Sequence, residues 1–198
     1  MSCFQIPQDL HIHTIFSNKD GAVHPMQTAA LIRRYYKAEV TGISDHFEMI
    51  EDFGLYSETL RKHGFYVGCE VDGSKWAGEA AALPFDYYMY HLRDIPSEYE
   101  GRERLLDTGK PVIVSHPFAF GADLSKLPDE AVVELNNRYI WRVDWENLFA
   151  PHVKRLRFVV GSDAHQPNWL NQDIARQAME VLGVDEHRVF PGPAPLPS

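Results

Sequence analysis

The run Asp9-Leu10-His11-Ile12-His13 sets two imidazoles two residues apart. Side chains of an extended chain alternate between faces, so His11 and His13 project together while Leu10 and Ile12 turn the other way into apolar packing. Neutral imidazoles side by side are ready ligands for Zn, Fe, Ni or Cu. Asp9 is placed to accept the second ring N–H of one of them and so fix its orientation. Alone, the pair reads equally well as two half-exposed histidines on an edge strand. The habit recurs, however: later apolar runs end in Asp45-His46, Glu70, His91, Ser115-His116 and Asp163-Ala164-His165. Any one of these is more simply a hydrogen-bonded core residue. Six strand ends of the same kind point to a shared metal site.

Seven short β-type runs, six of which supply those ends, lie at residues 6–12, 40–44, 65–69, 85–90, 111–115, 132–136 and 157–162. Between them lie helical patterns. One is opened by His24-Pro25 and carries Ala29, Leu31, Ile32, Tyr35 and Tyr36. Others cover residues 48–63, residues 97–108 with Gly109 as a stop, and residues 171–182 with Ile174, Ala178, Val181 and Leu182. Residues 128–131 read as a helical turn. Residues 72–83 give no clear pattern, and residues 137–153 read as irregular, with Tyr139, Trp141 and Trp145 as a cover. Strands alternating with helices predict a parallel sheet or a β/α barrel. Active sites of such barrels lie at the C-terminal ends of the strands, where this chain places its His, Asp and Glu residues.

The 198 residues suit one domain, expected over residues 1–190, followed by a tail over 191–198 with four prolines, expected to be extended or disordered. Apolar residues make up 44%, enough for a sizeable core. A net charge of −9 argues against stable binding along nucleic-acid phosphates, although bound cations can reverse the local field toward a small phosphorylated substrate. Two cysteines, Cys3 and Cys69, imply no disulfide framework, and a reduced cytoplasmic protein is the simpler reading. No stretch is apolar enough for a membrane span, and no signal-peptide pattern opens the chain. Of the ten histidines, His63, His152 and His187 read as surface residues and His24 as a helix-entry residue.

The motifs Asp9-Leu10-His11-Ile12-His13-Thr14, Ser44-Asp45-His46, Gly68-Cys69-Glu70, His91, Ser115-His116-Pro117 and Gly161-Ser162-Asp163-Ala164-His165 together resemble those of the PHP superfamily, the polymerase and histidinol phosphatase metal-dependent phosphoesterases. The resemblance spans residues 9–165. It implies a distorted (β/α)7 barrel with two or three divalent ions, Zn, Mn or Fe, at the strand C-termini. It implies one ion on His11, His13, Glu70 and Asp163, and a second on Glu70, His91 and His116 with Glu70 as bridge. A third would lie on Asp20, His46 and His165. In this chain the loop Ser17-Asn18-Lys19-Asp20-Gly21 carries two residues more than the family's usual spacing before the acidic residue.

Divalent ions sharing a carboxylate lie about 3.5–4 Å apart and bring the pKa of a shared water to about 7. The expected reaction is in-line attack of that hydroxide on a phosphate ester, either a small-metabolite monoester such as histidinol phosphate or a nucleotide-type diester. Asp163 would orient the nucleophile, and His165 or His116 would protonate the leaving group. Arg93 is a candidate for phosphate contact; Lys19 is more simply a surface charge. The competing readings are an amidohydrolase-like C–N or C–O hydrolase and a metal-stabilised binding domain without turnover. The pocket wall is expected from loops at residues 47–58, 72–84, 93–97, 118–127 and 138–150.

Overall fold

A computed structural model describes residues 5–19 and 21–196. Seven parallel strands follow one another around the sheet in chain order: β1 (Gln8–Asp9), β2 (Val40–Ile43), β3 (Tyr66–Val71), β4 (Tyr87–Tyr90), β5 (Val112–Val114), β6 (Val132–Asn136) and β7 (Arg157–Gly161). The sheet nearly closes into a barrel. The main-chain N–H of Asp163 donates to His11 O at 2.7 Å, and that of His13 donates to Ala164 O at 3.0 Å. The crossovers carry α1 (Ala29–Tyr35), α2 (Phe53–Lys62), α3 (Ser74–Ala81), α4 (Pro96–Leu106) and α5 (Trp145–Phe149), and α6 (Asp173–Leu182) follows β7. Among the described residues no helix is long and apolar enough to cross a membrane.

Alternation along the strands sorts the core into two clusters. Leu10, Val40, Tyr87, Met89, Ile113 and Val159 fill the barrel interior. Their outward neighbours, among them Ile43, Val67, Tyr88, Tyr90, Val114 and Val160, pack under the helices. Tyr87 spans the interior and donates its hydroxyl to Leu10 O at 2.7 Å. Its ring lies against Gly68, where any Cβ would overlap it. The bottom is closed by Phe190, stacked 3.7 Å from Tyr66.

Several elements differ from the sequence reading. β1 is far shorter than residues 6–12, because the chain changes partners above Asp9: Leu10 O accepts from Tyr87 and His11 O from Asp163 rather than from a neighbouring ladder. Leu10 and Ile12 therefore do not share one packing face; Leu10 joins the interior and Ile12 the outer cluster. The first helix begins at Ala29, capped by Thr28 Oγ1 accepting from Leu31 N–H at 3.2 Å, so His24-Pro25 forms a preceding turn and not a helix entry. Residues 72–83, left without a pattern, contain α3. Its first N–H groups are met from a distance, Ser74 N–H donating to Glu98 Oε2 of α4 at 2.8 Å, so no local cap announces it. Residues 137–153 contain α5, capped by Asp144. Its aromatics cover only in part, since Trp141 is 60% exposed. Residues 128–131 form a turn, and the nearby 3-10 helix is Leu124–Lys126. The tail through residue 196 returns onto the barrel base: Tyr66 donates its hydroxyl to Gly192 O at 3.0 Å and Ala194 is buried. Cys69 is a buried thiol, and Cys3 lies outside the described residues.

Candidate metal centre

The inward positions that carry apolar residues low in the barrel carry ligands higher up. β3 runs Tyr66, Gly68, Glu70; β4 runs Tyr87, Met89 and then His91; β6 runs Val132, Glu134, Asn136. Glu70 is 1% exposed and gathers five imidazoles. Its Oε1 lies 3.1 Å from His11 Nε2, 2.6 Å from His91 Nε2 and 3.0 Å from His116 Nε2. Its Oε2 lies 3.4 Å from His13 Nε2 and 3.3 Å from His46 Nδ1. Asp163 Oδ1 faces His165 Nδ1 at 3.2 Å, His13 at 3.6 Å and His11 at 3.8 Å.

Two of these residues reach the site through unusual backbone. His116 has φ 23° and Asp163 φ 52°, the left-handed region that costs a non-glycine residue on the order of 1–3 kcal/mol. Each sits just past its strand, where the turn swings the side chain over the barrel mouth.

Four overlapping sets have ligand atoms all within 4.8 Å of one another: His13, His46 and His165; His11, His13 and Glu70; His11, His116 and Asp163; and Glu70, His91 and His116. These buried groups could hold a metal ion. The donor chemistry fits a cation. His11 Nε2, His13 Nε2, His46 Nδ1 and His116 Nδ1 are buried and make no hydrogen bond among the described residues, a costly arrangement for polar atoms with no other partner.

Carboxylates behind the cluster orient it. Glu134 is fully buried; it takes His11 Nδ1–H at 2.8 Å and His116 N–H at 2.8 Å. This directs His11 Nε2 to the centre. Gly161 makes room for the arrangement, since a Cβ there would overlap Glu134 Oε1 and lie 2.9 Å from His11 Cβ. Asp72 backs His91 Nδ1 at 3.4 Å. Asp45 accepts from Thr14 N–H and Thr14 Oγ1, both at 2.6 Å, and from Ser17 Oγ, tying the loop after His13 to the end of β2.

Burial and mutual charge shift the titrations in opposing directions. Burial works against charge on His91, but Glu70 and Asp72 outweigh it and push its pKa up to about 9. His11 is likewise raised against burial by Glu134, Glu70 and Asp163. His13 is lowered by burial and by the charges of His165 and His46. Glu70 is held well below the usual carboxylate range, burial being outweighed by His91, His11 and His46. Burial raises Asp9 and Asp45 to about 6.

Eight residues singled out by the sequence, His11, His13, His46, Glu70, His91, His116, Asp163 and His165, thus come together. The ninth, Asp20, lies outside the described residues. The set around His46 and His165 includes His13. Asp9 does not hold a ring: it accepts from the main-chain N–H of His11 and of Ser162, both at 3.2 Å, and from Tyr36 hydroxyl at 2.6 Å, and Glu134 takes the role expected of it. Arg93 faces Asp72 at 2.6 Å and Glu98 at 3.8 Å. Lys19 pairs with exposed Glu51 at 3.2 Å. None of His24, His63, His152 and His187 belongs to the four sets. Two of the segments expected as wall loops are largely helical, in α2 and α3.

The sequence reading missed Glu134, Asp72 and Arg138. The first two could have been found, since Glu134 is a charged residue at an inward position of a strand where its neighbours are Val132, Val133 and Leu135, and Asp72 repeats the parity of Glu70. Arg138 follows the end of β6, where no periodicity marks it. Compared with protein-family models and with curated proteins, the chain matches none.

Proposed function

We propose that this protein is a metal-dependent phosphoesterase with a barrel of the PHP type, acting on a phosphate ester small enough to enter the barrel mouth. The observation that carries the reading is the overlap of the four ligand sets, which share Glu70, His11, His13 and His116 at the C-terminal ends of parallel strands. Glu70 is the shared residue able to serve two adjacent cations at once, through its two carboxylate oxygens, whereas each imidazole nitrogen serves one. His11, His13, His46, Glu70, His91, His116, Asp163 and His165 would hold two or three divalent ions of the Zn, Mn or Fe class. Bound there, such ions would supply a hydroxide nucleophile at neutral pH and would offset charge on phosphoryl oxygens.

The chain's own groups then position the reactants. Asp163 orients the attacking water through Oδ1, its other oxygen being held by Asn136 Nδ2 at 3.2 Å. The water oxygen bonds to phosphorus as the P–O bond to the alcohol breaks. The proton released ends on the leaving oxygen, delivered by His165 when its Nε2 is not taken by a metal, its Nδ1 being steadied 3.0 Å from Asp163 O.

The test is elemental analysis of purified and reconstituted protein, alongside hydrolysis of an aryl phosphate monoester and a bis-aryl phosphate diester with Mn²⁺ or Zn²⁺. Two or three ions per chain and turnover of one ester are expected. Less than one ion after reconstitution overturns the metal centre. Full metal with neither ester cleaved overturns the phosphoesterase and leaves the C–N or C–O hydrolase and the inert binding domain.

A further inference from the structure

The metal centre has an arginine on each side, and the two differ in what neutralises them. Arg93 lies 4.7 Å over the Phe120 ring, with Asp72 at 2.6 Å and Glu98 at 3.8 Å. A guanidinium between two carboxylates has little field left for a third anion. Among the described residues Arg138 has one acidic contact, Asp163 Oδ1 at 3.4 Å, and that oxygen also faces His11, His13 and His165. Its Nη1 lies 3.2 Å from His165 Nδ1. Tyr139 and Trp169 hold its plane between rings whose centroids are 4.9 Å and 5.0 Å away. A fixed, permanently charged planar fork suits two phosphoryl oxygens.

Next to Arg138 opens a cavity of about 290 Å³, lined by Asn137, Trp141, Arg142, Trp169, Asn171 and Ile174 as well as Arg138 itself. Its size matches the lower end of small-molecule pockets, about 300 Å³. Trp141 and Trp169 give it flat apolar surface, and Arg142 lies 4.8 Å over the Trp141 ring.

We propose that Arg138 binds the phosphoryl group of the substrate and that this cavity takes a planar, aromatic leaving group. The proposal rests on the phosphoesterase reading above. It makes Arg138 the contact that Arg93 was expected to provide. It also restricts the preferred substrate to phosphate esters of flat ring-bearing alcohols.

The experiment uses metal-loaded protein and three readouts: inorganic phosphate binding by calorimetry, tryptophan fluorescence on titration with phenyl phosphate, and hydrolysis of phenyl phosphate against glycerol phosphate. Arg138→Ala should weaken phosphate binding by about 10- to 100-fold, the loss of a charge-assisted contact, with metal content intact. Arg138→Lys should recover part of that loss. Trp169→Leu should lower kcat/KM for phenyl phosphate more than for glycerol phosphate. Unchanged phosphate affinity in Arg138→Ala, or loss of its metal, overturns the role of Arg138. Equal effects of Trp169→Leu on both esters, or no fluorescence response, overturn the cavity assignment. Either result leaves the phosphoesterase standing if the wild-type protein cleaves phenyl or glycerol phosphate, whereas a wild-type protein that cleaves neither of these nor the bis-aryl diester ends both readings.

Discussion

Within the single strand β3, the lower inward residue Tyr66 stacks 3.7 Å from Phe190, and the upper one, Glu70, lies within 3.4 Å of five histidines. The lower pair loses apolar surface to water and is held by that burial. The upper residue loses its hydration and is held only by opposite charge, so it needs the barrel more than the barrel needs it. Changes at the top should therefore register in metal binding, and changes at the bottom in unfolding free energy.

The largest effect on the metal centre is expected from Glu70→Gln, which removes the carboxylate common to two ligand sets. Metal content should fall by at least one ion and hydrolysis to background, while circular dichroism stays native. A variant with normal metal and rate would take Glu70 out of the bridging position. Next in size is Gly161→Ala, whose new Cβ must displace the fully buried Glu134 carboxylate and crowd His11 Cβ. It should cost about 1–3 kcal/mol in urea unfolding and also weaken metal binding, joining the two ends' behaviours in one variant. Glu134→Gln keeps the volume, but its one carbonyl oxygen can serve only one of the two donors, so either His11 Nδ1–H or His116 N–H faces an amide NH2 in place of an acceptor. Chelator competition should show about a 10- to 100-fold drop in metal affinity. The smallest effect on metal belongs to Phe190→Ala, which should lose about 2 kcal/mol of stability and no ions. If its folded fraction binds less metal, the two ends are coupled and the comparison breaks.

Much of this division was legible in the residues. The apolar runs and their polar ends marked the strands and the mouth of the barrel, because a strand's period of two is short enough to read from five residues. Helix α3 was not legible, its N-terminal cap coming from Glu98 on another helix. Nor was the short span of β1, because the carbonyls just after it, of Leu10 and His11, turn to Tyr87 and Asp163, partners far away in sequence. The same distance explains the exchange of Asp9 for Glu134: proximity in sequence suggested Asp9, and only the meeting of β6 with the first segment reveals the other carboxylate. Arg138 depends on a loop conformation that no pattern in the sequence encodes.

Closure of the barrel joins His11 to Asp163 and His13 to Ala164 through main-chain hydrogen bonds. Contacts so remote along the chain make folding slow, because the ordering entropy is spent before they form. The ligand sets draw on both of those segments, His11 and His13 from the first and Asp163 and His165 from the last. The sets His13, His46, His165 and His11, His116, Asp163 are thus complete only when the two edges of the sheet meet, whereas Glu70, His91 and His116 come together at the ends of β3 to β5 without that closure. Uptake of a spectroscopically visible ion by the first two sets during refolding would act as a clock for that final step, lagging behind the secondary structure that the separate strands and helices acquire earlier.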